Sequence, residues 1–273
     1  MKPLLGIIAG SGSLPHELIS HCQSTGREFF VLALEESVGR DAFADVPHAV
    51  IRVGAVGAAI EQLRAAGAKE LVMAGHVKRP SMFSLKPDAV GAKLLARMGG
   101  AFFGGDDALL KALLKFLEEE GFTVVGADDI LGGLLAPEGV LGKIKPDAQA
   151  KKDIITGFHA AKDLGEQDLG QAAIVENGIV LGVEDAGGTD ALIAAAAKKK
   201  QLPAGSGVLV KCKKPQQEKR VDLPSIGVQT VEAVHAAGFA GIALEAGGAL
   251  ILDKEKTIER ANHLGIFLIG VEG

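Results

Sequence analysis

Residues 4–34 read LLGIIAGSGSLPHELISHCQSTGREFFVLAL, and their sequence of textures decides the fold. Leu4–Ala9 is an apolar run of strand length. Gly10-Ser11-Gly12-Ser13-Leu14-Pro15 then opens a helix that runs to about Thr25, with Ser13 placed to cap it and Pro15 in its first turn. Phe29–Leu34 is a second strand. The alternation continues outward. Strands are expected at Ala49–Val53, Glu70–Ala74 and Phe122–Val125, and helices at Ala55–Ala66, Leu94–Met98 and Asp107–Glu120. Strands alternating with helices at this spacing predict a parallel, doubly wound sheet, a Rossmann-like α/β domain over residues 1–135.

Residues 136–165 read as a linker and connecting helix: Pro137–Lys145 is rich in Gly and Pro, and Asp147–Leu164 is a charged helix with Ala, Ile and Phe on one side. Residues 166–273 form a second α/β domain. Its firmest signal is Ala172–Glu176, Asn177-Gly178 and Ile179–Glu184, because Asn-Gly suits the tight primed turn of a hairpin. Helices are expected at Asp190–Lys200, Gln229–Ala237 and Thr257–Leu264, with strands at Gly207–Lys211, Ile242–Ala246 and Ile266–Val271.

The chain has 273 residues, 48% hydrophobic, with 37 Gly and 10 Pro, which suits two compact domains. A net charge of −5 gives no general footprint for nucleic acid, so none is expected as a partner. The exception is local: Lys198, Lys199, Lys200, Lys211, Lys213, Lys214, Lys219 and Arg220 fall in one short region. Cys22 and Cys212 are too few for a disulfide framework, which fits a reducing cytoplasm. The first apolar run is too short for a signal peptide or a membrane span, and Trp and Tyr, the usual interfacial anchors, are absent.

Five stretches carry chemistry-bearing residues. Gly10-Ser11-Gly12 stands between a strand and a helix, where main-chain N–H groups favour phosphate. The full dinucleotide fingerprint would need a small residue where Pro15 stands, although Glu35 ends the second strand where a ribose-binding acid belongs. Gly75-His76-Val77-Lys78-Arg79-Pro80 leaves a strand at the same carboxyl edge, and Lys78 and Arg79 can pair with phosphate. Asp106 and Asp107 start a helix, one as an N-cap and the other free to accept from a ligand or a metal-bound water. In Gly182-Val183-Glu184-Asp185-Ala186-Gly187-Gly188-Thr189-Asp190, amides near Gly188 and Thr189 can hold phosphate and Glu184 or Asp190 can assist Mg²⁺, the plainer alternative being that Thr189 or Asp190 caps the helix. The richest stretch is GSGVLVKCKKPQQEKRVDLPSIGVQT at 205–230. Lys211, Lys213 and Lys214 stand at a strand end, and Asp222 lies between apolar neighbours, as a partner for the cations or as a metal ligand beside a phosphate.

Several hydrolase signatures are absent. Calcineurin-like boxes fail because no His-x-His occurs, and a Nudix box would need Arg-Glu where Leu114-Lys115 stand. No GxxxxGK[ST] loop or GxSxG elbow is present. What the chain does resemble is the UDP-2,3-diacylglucosamine pyrophosphatase family of lipid A biosynthesis, the type that replaces the calcineurin-like enzyme in some Gram-negative bacteria. The matching pieces are Gly10–Pro15, GHVKRP at 75–80, GDDALL at 105–110, GADDILGGLL at 126–135, NGIVLGVEDAGGTDAL at 177–192, VLVKCKKPQQEKRVDLPSIGVQTV at 208–231 and AGIALEAGG at 240–248. The family usually reads Glu-Gly-Thr-Asp where Gly187-Gly188-Thr189-Asp190 stand, which removes a carboxylate at 187, and often Gln-Asp in place of Gln217-Glu218.

The resemblance implies Mg²⁺-dependent hydrolysis of UDP-2,3-diacylglucosamine to UMP and 2,3-diacylglucosamine 1-phosphate. It implies a cytoplasmic protein, peripheral on the inner membrane, that binds nucleotide in its N-terminal domain and the acylated sugar phosphate in its C-terminal domain; a homodimer is allowed for. The site expected for such a reaction has Asp222 as catalytic residue, holding Mg²⁺ or positioning the attacking water, with Glu184 as second metal ligand and Asp190 as the alternative to it. Substrate would meet Gly10, Ser11, Gly12, Leu14, Val77, Lys78, Arg79, Asp107, Gly188, Thr189, Asp190, Lys211, Lys214 and Gln217. Two other classes compete: a nucleotide-dependent oxidoreductase using Gly10, Gly12 and Glu35, and a nucleotide-sugar-binding module without catalysis.

Overall fold

The computed structural model describes residues 2–77, 85–99, 106–185, 187–220 and 223–272. The chain divides into two compact units, Met1–Gly132 with Glu218–Val221, and Gly133–Gln217 with Asp222–Gly273.

The first unit runs β1 (Leu5–Ala9), α1 (Leu14–Thr25), β2 (Phe29–Leu34), β3 (His48–Ile51), α2 (Val56–Ala65), β4 (Glu70–Ala74), α3 (Ala89–Met98), α4 (Asp106–Glu119), β5 (Thr123–Val124) and α5 (Ala127–Leu131). Its sheet has the order β3-β2-β1-β4-β5, and every pairing is parallel. Alternate side chains of an extended strand point to opposite faces. Leu5, Ile7 and Ala9 of β1 therefore pack on Leu18, Ile19 and Cys22 of α1 and on Ile130 of α5. Leu32 and Leu71 pack the other way, on Ile60 and Leu63 of α2, Leu94 of α3 and Leu114 and Leu117 of α4. A sheet covered on both faces explains why its strands read as unbroken apolar runs. The expected Rossmann-like domain is present.

The second unit runs β6 (Gly139–Val140), α6 (Ala148–Glu166), β7 (Ala172–Glu176), β8 (Ile179–Val183), α7 (Gly188–Ala197), β9 (Val208–Lys211), β10 (Ser225–Ile226), α8 (Val228–Ala236), β11 (Gly241–Glu245), β12 (Leu250–Ile251), α9 (Lys254–Leu264) and β13 (Phe267–Val271). Its main sheet has the order β6-β13-β11-β9-β7-β8. Strands β9, β11 and β13 are mutually parallel, and β7 is antiparallel to both β9 and β8. The carboxyl ends of β8, β9, β11 and β13 consequently share one edge. Asn177 and Gly178 both take positive φ, 52° and 80°, which is the primed hairpin that their identity predicts.

Residues 136–165, expected as linker and connecting helix, build part of this unit. β6 pairs with β13, and α6 lays Ile154, Phe158 and Ala161 on Ala173, Val208 and Val210. That stripe repeats at helical spacing, so burying it needs a sheet face. Gly157 brings α6 close: a Cβ there would stand 2.4 Å from the Cγ2 of Val210. Among the described residues, no helix is long and apolar enough to cross a membrane.

Candidate functional site

In an open α/β sheet, ligands gather outside the carboxyl ends of the strands where strand order reverses. In the first unit that point lies between β1 and β4, and the loops leaving them are zipped together. Gly10 N–H donates to Ala74 O at 2.8 Å, Ser11 N–H to His76 O at 2.9 Å and His76 N–H to Ser11 O at 2.7 Å. The Ser11 hydroxyl adds a bond to His76 O at 3.1 Å. The glycines have a steric reason. A Cβ on Gly10 would fall 2.5 Å from His76 O, and one on Gly75, at φ 87°, would fall 2.5 Å from Ser11 O. Val77 borders the same spot, its Cγ2 lying 3.0 Å from a Cβ at position 10. Gly12 differs: it takes φ 106° and has open space around it.

This geometry removes much of the support for a dinucleotide site. The amides of Gly10 and Ser11 are already bonded to the neighbouring loop, and Glu35 is engaged by Arg40 through Nε, at 2.9 Å, and through NH2. Ser13 also departs from expectation. Its hydroxyl donates to Glu17 Oε1 at 3.0 Å and makes no capping bond. Leu14 packs its side chain against the core. Lys78 and Arg79 lie outside the described residues. Asp107, buried near the start of α4, accepts from Lys111 Nζ at 2.7 Å and from the Glu218 amide at 3.3 Å.

The carboxyl edge of the second sheet is built from side chains. Glu184 follows β8, Lys211 ends β9 and Glu245 ends β11, each less than a tenth exposed. Glu184 Oε1 accepts from the Thr189 hydroxyl at 2.6 Å and Oε2 from the Gln171 amide at 3.0 Å. Thr189 in turn accepts from Lys211 Nζ at 2.8 Å, and that ammonium also donates to Ser225 O at 3.1 Å. Lys214 reaches Asp168 Oδ1 at 2.6 Å. Its amide donates to Gln217 Oε1 at 2.9 Å, and Gln217 Nε2 donates to Gln171 Oε1 at 3.2 Å. Glu245 accepts from the Lys213 amide at 2.9 Å and pairs with its ammonium at 3.4 Å. A buried polar group is tolerable only when hydrogen-bonded, and this ring meets that condition.

The structure thus gathers Glu184, Thr189, Lys211, Lys214 and Gln217 at one edge. Gly188, at φ 78°, and the exposed Asp190 lie in the first turn of α7 beside them. Thr189 does not cap that helix; its hydroxyl serves Glu184. Asp222 lies outside the described residues. Gln171 and Asp168 were not singled out in the sequence, because nothing local distinguishes a loop Asp that meets a lysine, or a loop Gln that meets another Gln, 46 residues away. Cys212 is no nucleophile near neutral pH: burial first, and Glu245 second, push its thiol up to about 11 against two opposing lysines. The described residues contain no group of three or more His, Cys, Asp or Glu placed to hold a metal. Glu184 keeps one lone-pair direction on each oxygen, so it fits Mg²⁺ only as one of few protein ligands, the rest coming from water and phosphate oxygens.

Fold and charges together define a two-unit α/β protein whose second unit places lysines and carboxylates at the carboxyl edge of its sheet. Family models described as the LpxI N-terminal domain and the LpxI C-terminal domain match residues 4–134 and 137–269. A relative from Caulobacter vibrioides (strain ATCC 19089 / CIP 103742 / CB 15), named UDP-2,3-diacylglucosamine pyrophosphatase LpxI, is 42% identical over 273 residues, covering 98% of this chain and 97% of the relative. The chain belongs to the LpxI family.

Proposed function

We propose that this protein hydrolyses the diphosphate of UDP-2,3-diacylglucosamine, releasing UMP and 2,3-diacylglucosamine 1-phosphate for lipid A synthesis. The observation that carries the reading is its 42% identity, along nearly the whole chain, to an enzyme whose name states that pyrophosphatase activity. The lysine-bearing edge of the second sheet supports it, because phosphoryl hydrolysis depends on positioning and on neutralising charge.

In this scheme the first unit takes the nucleotide at the open side of Gly12, and Lys78 and Arg79 meet its phosphates. The second unit takes the sugar phosphate. Lys211 is held rigidly by Thr189 and Ser225 O, so its ammonium is aimed before substrate arrives. Lys214 shares its charge between Asp168 and an incoming phosphate. Asp222 orients the attacking water and accepts its proton. Glu184, with Asp222, holds Mg²⁺, which when bound supplies a Lewis acid that polarises a phosphoryl oxygen. An acylated substrate resides in a bilayer, so the protein works at the cytoplasmic surface of the inner membrane.

The test is UMP release from UDP-2,3-diacylglucosamine by purified protein, with Mg²⁺ and with EDTA. Release that stops with EDTA and returns with Mg²⁺ is expected. Binding of the UDP-sugar with no release in either condition would leave a binding module instead.

A further inference from the structure

We propose that Asp168, in the loop that leads from α6 into β7, is a positioning residue for this reaction: it holds the Lys214 ammonium where a phosphate of the substrate is met. The inference rests on the function proposed above, in which Lys214 serves that phosphate. Local preferences do not explain an aspartate at this position. Asp168 takes φ 56°, a left-handed conformation that glycine adopts freely and that aspartate and asparagine tolerate at a cost. It also sets a negative charge just past the carboxyl end of the 19-residue helix α6, which already carries Asp163 and Glu166 there and whose dipole disfavours another. Glycine would turn the chain without strain, and asparagine without the charge.

The reason for the carboxylate lies outside the loop. Its Oδ1 accepts from Lys214 Nζ at 2.6 Å, 46 residues on. The pair is largely withdrawn from water, with 10% of the lysine side chain and 22% of the aspartate exposed. An ammonium carries three N–H groups. The other two on Lys214 find no acceptor among the described residues. The pairing thus fixes the direction of the side chain and leaves donors over for phosphate oxygens.

The main chain around Lys214 is held by other means. Gln171 O accepts from the Cys212 amide at 3.0 Å, Gln171 Oε1 from Gln217 Nε2 at 3.2 Å, and Gly165 O from Gln216 Nε2 at 2.9 Å. The approach is close as well: a Cβ on Gly165 would stand 3.3 Å from Lys214 Cα. None of these contacts involves the Asp168 carboxylate, so its task is the lysine side chain alone. A flexible four-carbon stem separates that ammonium from its Cα, and a held backbone does not aim it. Aim matters, since a misplacement of about 1 Å at a reacting centre costs on the order of 100-fold in rate.

The experiment measures UMP release and thermal melting for full-length wild type, Asp168→Asn, Asp168→Gly, Asp168→Ala, Lys214→Met and the double variant Asp168→Gly/Lys214→Met. A residue needed only for its turn would leave Asp168→Gly and Asp168→Asn at the wild-type rate and impair Asp168→Ala, which alone resists a positive φ. Positioning gives another order. Asp168→Gly and Asp168→Ala should both lower kcat/KM by about 10- to 100-fold. Asp168→Asn, which keeps an acceptor and loses the charge, should fall between them and wild type. In the Lys214→Met background, Asp168→Gly should change the residual rate by less than about twofold, because no ammonium is left to hold. A wild-type kcat/KM in folded Asp168→Gly, or the same fractional loss in both backgrounds, overturns the role. Should Asp168→Gly fail to fold, Asp168→Asn decides, and a wild-type kcat/KM there overturns it. Wild-type protein that releases no UMP overturns the functional reading, and this role with it; active wild type beside an unimpaired Asp168→Gly overturns the role alone.

Discussion

The carboxyl edges of the two sheets present polar groups in opposite ways. The edge of the first is joined by main chain, with Ser11 and His76 exchanging amide bonds across a pair of glycines. The edge of the second is joined by ionised side chains, from Glu184 through Thr189 to Lys211 and from Lys214 to Asp168. A main-chain joint leaves no room for volume, because any Cβ strikes backbone that cannot rotate away. A side-chain joint leaves no room for charge imbalance, because each buried ion depends on the next. Mutations should therefore damage the two edges through different physics.

The largest effect is expected from Lys211→Met. It keeps the apolar stem and removes the ammonium, so the Thr189 hydroxyl and Ser225 O lose their charged donor and the Thr189–Glu184 contact loses the cation behind it. Losing two hydrogen bonds from a buried charged donor costs about 3–6 kcal/mol, at about 1.5–3 kcal/mol each. The urea unfolding midpoint at neutral pH reads it. A loss under about 1 kcal/mol would mean that Glu184 is compensated elsewhere, and the contrast between the edges would fail.

A buried pair at the opposite edge of the same sheet sharpens the point, since no chemistry is assigned to it. Glu176 ends β7 and is 3% exposed. Burial pushes its carboxyl up, but Lys200, the Gln201 amide, the Ser206 hydroxyl and the Leu202 amide outweigh burial and hold the pKa at about 2, below the ordinary 4.5. A depressed folded-state pKa stabilises fully above about pH 4.5 and loses that contribution as pH falls from there toward about 2. The size is at most about 3 kcal/mol. Glu176→Gln should flatten the acid limb of the stability–pH curve across that window. Curves that stay parallel for wild type and variant would show that the carboxylate gains nothing from its cage.

Much of this was legible in the sequence, and the part that was not has a common cause. Phe29–Leu34, Glu70–Ala74 and Ala172–Glu176 are strands over the residues expected, because runs of β-branched and aliphatic side chains declare burial locally. Asn177-Gly178 declared its turn through the one conformation that both residues tolerate. The lysines at 211 and 214 were visible as cations at a strand end. Their partners were not: Asp168 and Gln171 belong to a loop whose closeness to Lys214 and Gln217 depends on β7 pairing with β9. Position 10 was read as room for an anion, whereas the room is filled by His76, 66 residues on. Long-range register, not residue type, carries that information.

The smallest effects, and the sharpest separation, should come from the two glycines of the first loop. Gly10 has ordinary φ, so Gly10→Ala is penalised for volume alone: its Cβ would meet His76 O at 2.5 Å and the carbonyl carbon at 2.8 Å. Overpacking of this kind costs about 1–3 kcal/mol. Gly12→Ala meets nothing within 4 Å but must hold φ near 106°, a strain of about 1–2 kcal/mol. Stability should thus fall more for Gly10→Ala. In the function proposed above the nucleotide sits at the open side of Gly12, so UMP affinity should fall more for Gly12→Ala. Titration of UMP into both variants, beside their urea midpoints, separates the two. Equal losses of affinity would mean that the zipped loops act as one unit, and that the first edge owes its ligand to the pairing of Ser11 with His76 rather than to the space at Gly12.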